Sequence, residues 1–225
     1  MDCDNIKPQR TFYFAGGLFD HKELSGNLGL ASAMNELSAG SWQAILPQDH
    51  QYEANSPVGI RDNDFTMLVN ADAILVNFDG TDLDSGTVVE FCFAKALDIP
   101  AVVLRTDFRH CGDGGKEADP WNLMCTGYPR TKNVLVNSIA LYDECKSAAN
   151  GSATALLALY WRRIAEMALP ALDEACGMPS WLPCQQLEQH YLRMLKSTGS
   201  LADKLPPNEL HKILERKIER GIYRK

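Results

Sequence analysis

Short apolar runs alternate with longer amphipathic stretches along the first 150 residues of the chain. The short runs are rich in branched and aromatic residues and end at glycine, proline or polar residues, as β-strands do. The longer stretches repeat their apolar residues near helical spacing. The predicted strands are residues 11–15, 42–46, 73–78, 100–104 and 133–136, and the predicted helices between them are 26–37, 60–70 and 86–97.

This alternation predicts an α/β fold with a doubly wound, flavodoxin-like or Rossmann-like parallel sheet of five strands. With the strand order 2-1-3-4-5, ligands bind at the carboxyl ends of the first and third strands, where the order reverses. The glycine pair Gly16-Gly17 and the acidic segment 79–84 follow those two strands. Ser85 is the expected N-cap of the helix after the acidic segment. The topology therefore predicts a ligand pocket between the two loops.

The last third of the chain shows a different pattern. Residues 151–225 contain no predicted strand, and residues 153–175 form a strongly helical pattern in which Pro170 is expected to cause a kink or a break. Two further helices are predicted at 185–196 and 208–220. We therefore expect an α/β domain over residues 1–150, followed by a helical extension over 151–225 that serves as a subdomain or an oligomerisation arm.

A carboxylate interrupts the most apolar of the predicted helices. Glu90 and Lys95 are the only charged residues of segment 86–97. A helix that is apolar on nearly every side is buried on more than one face, so Glu90 is expected in a largely dry setting. A buried carboxylate is costly unless it is paired or used in chemistry. Two interpretations stay open: Glu90 pairs structurally with Lys95 or an arginine, or it belongs to an active site. The nearby loop aspartates, taken alone, are typical of solvated turns.

Composition and charge restrict the possible functions. The 225 residues are 45% hydrophobic and 23% charged, and the net charge of −7 argues against binding to a nucleic-acid backbone. No apolar run reaches the roughly 18 residues of a membrane span, and the polar N-terminus does not resemble a secretory signal. Seven scattered cysteines without a CxxC pair indicate reduced thiols in the cytoplasm. The five histidines show no metal-ligand spacing, so neither a metal nor a cofactor is expected.

The motifs narrow the chemistry to carboxylates. The pair Gly16-Gly17 lacks the third glycine of a dinucleotide-binding motif, and the sequence has no Walker A motif or GxSxG nucleophile elbow. Asp72, Asp84 and Glu90 remain, and they flank one predicted loop. Carboxyl groups that differ in environment are the groups that glycosyl transfer uses, with one of them as the nucleophile at the anomeric carbon.

Five short motifs, in this order along the chain, resemble those of the nucleoside 2-deoxyribosyltransferase family. The resemblance covers about residues 11–137 and includes the family's first strand and glycine turn, its base-binding loop, two acidic positions and a segment that reaches a neighbouring subunit. The motifs are YFAGGLF at 13–19, PQDHQY at 47–52, NADAILVNF at 70–78, DSGTVVE at 84–90 and WNLM at 121–124.

The resemblance implies a retaining transfer of the 2-deoxyribosyl group between nucleobases, as in nucleotide salvage. Glu90 would attack C1′ of a 2′-deoxynucleoside and hold the sugar covalently. Tyr13 would hydrogen bond to Glu90 and favour its ionised form, although a strand tyrosine is often simply a core aromatic. Asp72, at the family's acidic position, would protonate or hydrogen bond to the departing base and then accept a hydrogen bond from the incoming one.

Substrate binding follows from the same resemblance. Asp84 and Asn122 would hold the sugar hydroxyls, and Gln51 would contact the base. Asn122 and Met124 would reach into a neighbouring subunit's site, which implies a homo-oligomer with shared sites, although a methionine is more often core. Because an ionised Asp84 only accepts hydrogen bonds, we expect a free 5′-hydroxyl on the substrate rather than a phosphate. The implied substrate-binding residues are Gly16, Phe19, Gln51, Asp84, Asn122 and Met124.

Two features depart from the family pattern. The stretch before Glu90 is Gly-Thr-Val-Val, where the family often has a glycine-rich segment. Compact members end soon after the fifth strand and can complete the site with their terminal carboxylate, whereas this chain continues to residue 225. Two rival functions stay open: a 2′-deoxynucleoside 5′-monophosphate N-glycosidase with the same fold and glutamate, and a non-catalytic nucleotide-binding module in which Glu90 forms an ion pair.

Overall fold

A five-stranded, all-parallel sheet in the order 2-1-3-4-5 forms the centre of the computed structural model, which describes residues 8–50, 56–109, 112–113 and 118–224. This topology confirms the predicted α/β, doubly wound fold. All five predicted strands are present, with bounds shifted by a residue or two. The strands are β1 (Arg10–Ala15), β2 (Trp42–Ile45), β3 (Ala73–Asn77), β4 (Ala101–Arg105) and β5 (Thr131–Leu135).

Helices connect the strands and continue after the sheet. The predicted helices are present, and two further ones, α4 and α7, had no clear sequence signal. Helix α5 continues through Pro170, so this proline does not end it. The helices of the described residues are α1 (His21–Leu37), α2 (Pro57–Asn70), α3 (Ser85–Ala96), α4 (Ser138–Ala148), α5 (Ala153–Gly177), α6 (Cys184–Ser197), α7 (Leu201–Lys204) and α8 (Pro207–Glu219).

The helices form two layers, one on each face of the sheet. Helices α1 and α5 contact each other, and α5 also packs on β3, β4 and β5. Helices α2 and α3 contact each other and β1. Successive strand residues point to opposite faces, so Phe14 lies on the side of α1 and α5 while Tyr13 points towards α3. The residues at the centre of the sheet, such as Ile74 and Val102, are completely buried.

Two helices begin at aspartates rather than at the residues predicted. Helix α1 starts earlier than expected because the Asp20 carboxylate accepts hydrogen bonds from the backbone of Lys22 and Glu23, at 2.7 and 3.0 Å. Helix α3 is capped by Asp84, whose carboxylate accepts from the backbone N–H of Thr87 at 2.7 Å. The expectation that Ser85 is the cap was wrong, since Ser85 is already the first helical residue.

The C-terminal helices are attached to the ends of α2 and α3. Arg216 donates to the Asn70 carbonyl at the end of α2, at 2.9 Å, and Lys217 donates to the neighbouring Ala71 carbonyl. The Tyr223 hydroxyl donates to the Leu97 carbonyl after α3, at 3.0 Å. These donors satisfy carbonyls that have no partner inside a helix. One hydrophobic cluster continues from the sheet into α5, α6 and α8. The expected division at residue 150 stays a prediction.

Candidate functional site

The carboxyl ends of β1 and β3 meet at one edge of the sheet, where the strand order reverses. Gly16 and Gly17 follow β1, and the acidic loop 79–84 follows β3. A Cβ on Gly16 would lie 3.3 Å from Cβ of Asn77, so the turn packs closely on the end of β3. Phe19 follows the turn and is 79% exposed. The structure therefore brings together the two loops that the sequence assigned to one pocket.

Tyr13 and Glu90 form the central contact of this crevice. The hydroxyl of Tyr13, which is completely buried in β1, donates to Oε1 of Glu90 at 2.5 Å. Burial raises the pKa of Glu90 from 4.5 to about 7; the hydrogen bond from Tyr13 acts in the opposite direction, and the charges of Asp64 and Asp84 raise the pKa further. The Glu90 carboxyl group thus titrates near neutral pH, as groups that change protonation or bonding in a reaction often do.

Lys95, the other charged residue of α3, does not serve as a partner for Glu90. Its Nζ donates to the carbonyls of Ile99, at 2.7 Å, and Arg130, at 3.3 Å. These carbonyls lie beyond the C-terminal end of α3, whereas Glu90 lies in the second turn of the helix. The structural ion pair that the sequence allowed between Glu90 and Lys95 is therefore not formed.

The aspartates of the acidic loop differ in their surroundings. The Asp79 carboxylate accepts from the backbone and hydroxyl of Thr106, at 2.5 and 2.7 Å, and from the backbone of Asp107, so it fixes the loop to the end of β4. Oδ2 of Asp84 accepts from the backbone and hydroxyl of Thr87, at 2.7 and 2.8 Å. Asp82 is exposed. Asp84 stands at the start of the helix that carries Glu90 and acts electrostatically on it.

Asp72 lies at the opposite edge of the sheet, which corrects the expectation that it belongs to the same constellation. It directly precedes Ala73, the first residue of β3, whereas the crevice lies beyond the last residue of that strand. A five-residue strand spans roughly 16 Å at about 3.3 Å per residue. The completely buried carboxylate of Asp72 accepts from Arg220 at 2.7 Å and from the backbone of Thr11 at 2.8 Å. Asp72 therefore anchors α8 and does not reach Glu90.

Asp64 is the acidic residue that the sequence reasoning missed. It lies on α2, and its charge is among the causes of the raised pKa of Glu90. Asp64 stands four residues before the buried Leu68, on the side of α2 that turns inward. The sequence alone places the Asp64 carboxylate on the apolar side of α2, and this position could have identified it as a candidate. The nearby Asp62 is buried and pairs with Arg61 and Ser200.

Asn122 and Met124 lie at a short 3-10 turn, Leu123–Cys125, with Asn122 as its N-cap. The Asn122 carboxamide accepts from the backbone of Met124 at 2.9 Å, and the Met124 side chain is 71% exposed. Both residues line a cavity of about 510 Å³, together with Val88 and Val89 of α3. Val89 is itself 55% exposed. Within one chain, this segment forms an exposed apolar surface next to α3.

Gln51 lies outside the described residues, so its expected contact with the base stays a prediction. Among the residues that the structure describes, no group of three or more histidine, cysteine, aspartate or glutamate side chains is arranged to hold a metal ion. Likewise, none of the described helices is long and apolar enough to cross a membrane.

Comparisons with known proteins show which family the chain resembles. The model of a family described as nucleoside 2-deoxyribosyltransferase matches residues 12–128, more than half of the chain. A conserved protein from Enterococcus faecalis V583 is 25% identical, over 62% of this chain and 99% of its own, with a TM-score of 0.47. A 2-desoxiribosyltransferase from Leishmania mexicana is 25% identical over 52% and 86%, with a TM-score of 0.43. A 2-deoxyribosyltransferase from Bacillus psychrosaccharolyticus is 17% identical over 65% and 95%, with a TM-score of 0.42. No curated protein sequence matches significantly.

Proposed function

The chain belongs to the nucleoside 2-deoxyribosyltransferase family, and we propose that it transfers a 2-deoxyribosyl group between nucleobases through a covalent intermediate on Glu90. The family implies nucleosides and nucleobases as substrates. The observation that carries the proposal is the hydrogen bond from Tyr13 to a glutamate whose pKa is about 7. Glu90 is partly buried and is ionised in a large fraction of molecules at neutral pH, so its carboxylate is available as a nucleophile.

The first half-reaction breaks the bond between the sugar and the base. A carboxylate oxygen of Glu90 attacks C1′, the glycosidic bond breaks, and its electron pair moves to the base nitrogen. A protonated group beside the base supplies the proton that the leaving base needs. In the second half-reaction, a nitrogen of the incoming base attacks C1′, its proton passes to the group that protonated the departing base, and the bond to Glu90 breaks. Two displacements at one carbon retain its configuration, and Glu90 returns to its starting state.

Asp64 replaces Asp72 as the acid in this proposal. With Glu90 as the nucleophile, Asp64 is the carboxyl group that we place beside the base to exchange a proton with it. What supports this role is the interaction of Asp64 with Glu90, together with the engagement of Asp72 by Arg220 at the other edge of the sheet.

Asp84 supports a substrate without a 5′-phosphate. One of its oxygens caps α3, and its charge faces the same crevice as that of Glu90. At roughly 4 Å in water, one carboxylate and a phosphate of about −2 charge repel by about 2 kcal/mol. That energy corresponds to roughly 30-fold weaker binding, at about 1.4 kcal/mol per factor of ten. A hydroxyl, which donates to Asp84, has no such penalty.

A second copy of the chain is proposed to complete the site. Asn122 and Met124 stand on an exposed apolar surface with Val89, and none of them is buried within one chain. An oligomer would cover this surface and bring the segment 121–124 to a neighbouring crevice. Sedimentation at assay concentration tests this part, because a fully active monomer contradicts it.

Incubation with thymidine and free adenine tests the proposed reaction. Transfer yields deoxyadenosine and free thymine, whereas a glycosidase of nucleoside monophosphates yields no exchange product and a non-catalytic binding module yields no product at all. Glu90→Ala should abolish the transfer while the melting curve shows a folded protein. Near wild-type exchange by this variant would refute the covalent role of Glu90. Asp64→Asn should lower kcat strongly, and Asp72→Asn should leave kcat within about twofold of the wild type.

A further inference from the structure

Arg105, the last residue of β4, is a buried cation at the base of the acidic loop. One terminal nitrogen of its guanidinium donates to the carbonyl of Phe78, and the other donates to the carbonyls of Gly80, at 3.1 Å, and Arg109, at 2.9 Å. Its Nε is buried and has no hydrogen-bond partner among the described residues, so the two terminal nitrogens make all the contacts. A buried charge is costly unless hydrogen bonds compensate it. The carbonyls therefore hold the guanidinium, and the guanidinium in turn holds the carbonyls.

The carbonyls of Phe78 and Gly80 stand on either side of Asp79, where the chain leaves β3. Gly80 has a φ of +101°, in the region that favours glycine, and a Cβ there would lie 3.1 Å from a backbone oxygen of the same loop. The turn is therefore tight. Arg105 fixes both of its sides, while the Asp79 carboxylate fixes its middle to Thr106. Both restraints come from the end of β4, so β4 sets the path of the loop.

The loop ends at Asp84, four residues after Gly80. Oδ2 of Asp84 accepts from the backbone N–H of Thr87 at 2.7 Å and so fixes the start of α3, the helix that carries Glu90. Burial raises the pKa of Glu90, and the charge of Asp84 raises it further. A displacement of the loop would therefore change the electrostatic environment of Glu90 and also move Asp84 away from the substrate hydroxyl.

We propose that Arg105 is a positioning residue of the candidate active site, whose guanidinium holds the acidic loop in the shape that places Asp84 beside the substrate and beside Glu90. The catalytic consequence of this inference rests on the proposed function. Arg105 acts through the loop and needs no contact with the substrate. The shape of its side chain is required as well as its charge, because the single nitrogen of a lysine cannot span carbonyls that two guanidinium nitrogens hold.

The kinetics of Arg105→Lys and Arg105→Met test the proposal, with thymidine as donor and adenine as acceptor. A released loop lets Asp84 move into water and lets water reach Glu90, and both changes lower the pKa of Glu90. The acid limb of kcat/KM for thymidine should therefore move to lower pH in both variants. At pH 8, kcat/KM should fall about 10- to 100-fold, because a small misplacement of reacting groups has an effect of that size. The fall should be smaller in Arg105→Lys, which keeps the charge.

Arg130→Lys is the matched control. Arg130 is also buried and donates to backbone carbonyls, of Asp98 at 2.7 Å and Ile222 at 2.6 Å, and it pairs with the Asp98 carboxylate. It directly precedes β5, at the edge of the sheet opposite to the crevice. Arg130→Lys should lose stability, yet its acid limb should stay in place and its kcat/KM should stay within about twofold of the wild type. Equal kinetic changes in Arg130→Lys and Arg105→Lys would reduce the effect to general destabilisation and overturn the proposal.

Hydrogen–deuterium exchange separates this inference from the proposed function, because it needs no turnover. In Arg105→Lys the amides of residues 79–87 should exchange about tenfold faster than in the wild type, and in Arg130→Lys they should not. If the wild type transfers nothing, the proposed function fails, whereas faster exchange in Arg105→Lys still supports the restraint of the loop. Unchanged exchange of residues 79–87 in folded Arg105→Lys and Arg105→Met would refute the positioning role, even in an active transferase. If Arg105→Met does not fold, Arg105→Lys alone decides.

Discussion

Replacing Tyr13 with phenylalanine removes the hydrogen bond that Glu90 receives from the Tyr13 hydroxyl. That bond favours the ionised carboxylate, so its loss raises the pKa of Glu90 above about 7. A hydrogen bond to a charged group contributes roughly 1.5 to 3 kcal/mol. At about 1.36 kcal/mol per pKa unit, this corresponds to an increase of roughly one to two units. At pH 7 the ionised fraction of Glu90 then falls from about one half to about one tenth or less.

The pH dependence of kcat/KM for the deoxynucleoside donor measures this change, because it reports the ionisation of the free enzyme. The acid limb of the profile should lie near pH 7 in the wild type and move to higher pH in Tyr13→Phe, with activity partly recovered in alkaline buffer. Tyr142→Phe, which removes a half-exposed hydroxyl on α4, is the control and should leave the limb in place. An unchanged limb in a folded Tyr13→Phe would refute the assignment of Glu90 as the group that must ionise.

Four further variants test the stability of the fold. The raised pKa of Glu90 means that the folded protein binds more protons than the unfolded chain between pH 4.5 and about 7. The free energy of unfolding that this group contributes therefore falls as pH rises through that range. In denaturant titrations Glu90→Gln should therefore be more stable than the wild type by about 1 to 3 kcal/mol at pH 8, and an equal gap at pH 4 would contradict this. Arg220→Ala leaves the buried Asp72 without its cation and should cost about 3 to 5 kcal/mol; a loss below 1 kcal/mol would argue against the anchor. In thermal melts Gly26→Ala should stabilise the folded protein by about 0.5 to 1 kcal/mol, because alanine has the higher helix propensity. Gly29→Ala should instead lower Tm, because its Cβ would displace the indole ring of Trp161.

The strands and the crevice were predictable because they depend on local patterns. The run after Asp72 is apolar and branched, and β3 is completely buried for most of its length. The order of the strands follows from the handedness of the connections. Helix α4 had no comparable signal, because its residues 138–148 mix apolar and polar side chains and bury only Cys145. With one buried residue, the helix has no repeating apolar face that the sequence could show.

The prediction that Asp72 is the acid beside the base was wrong, because it rested on closeness in sequence to Asp84. It did not consider that the two residues stand at opposite ends of β3. Asp72 and Asp84 flank one strand-loop segment, yet Asp72 precedes β3 and Asp84 follows it. The rule that ligands bind at the carboxyl ends of strands already excluded Asp72. The position of Asp64 on the apolar side of α2 could be recognised from the sequence, but its proximity to Glu90 depends on the packing of α2 against α3.

The anchoring of α8 has a consequence for the order of events during synthesis. Asp72 and Arg220 are 148 residues apart, and Arg10 donates to the Arg220 carbonyl across 210 residues. A chain that folds as it leaves the ribosome forms its N-terminal strands first, and contacts of such long range form slowly. Until α8 is made, the carboxylate of Asp72 lacks its ion-pair partner Arg220. An unpaired carboxylate favours contact with water, so the N-terminal ends of the strands around Asp72 stay hydrated and loosely packed. The nascent α/β layer should therefore stay sensitive to proteases at that edge until the last helix docks.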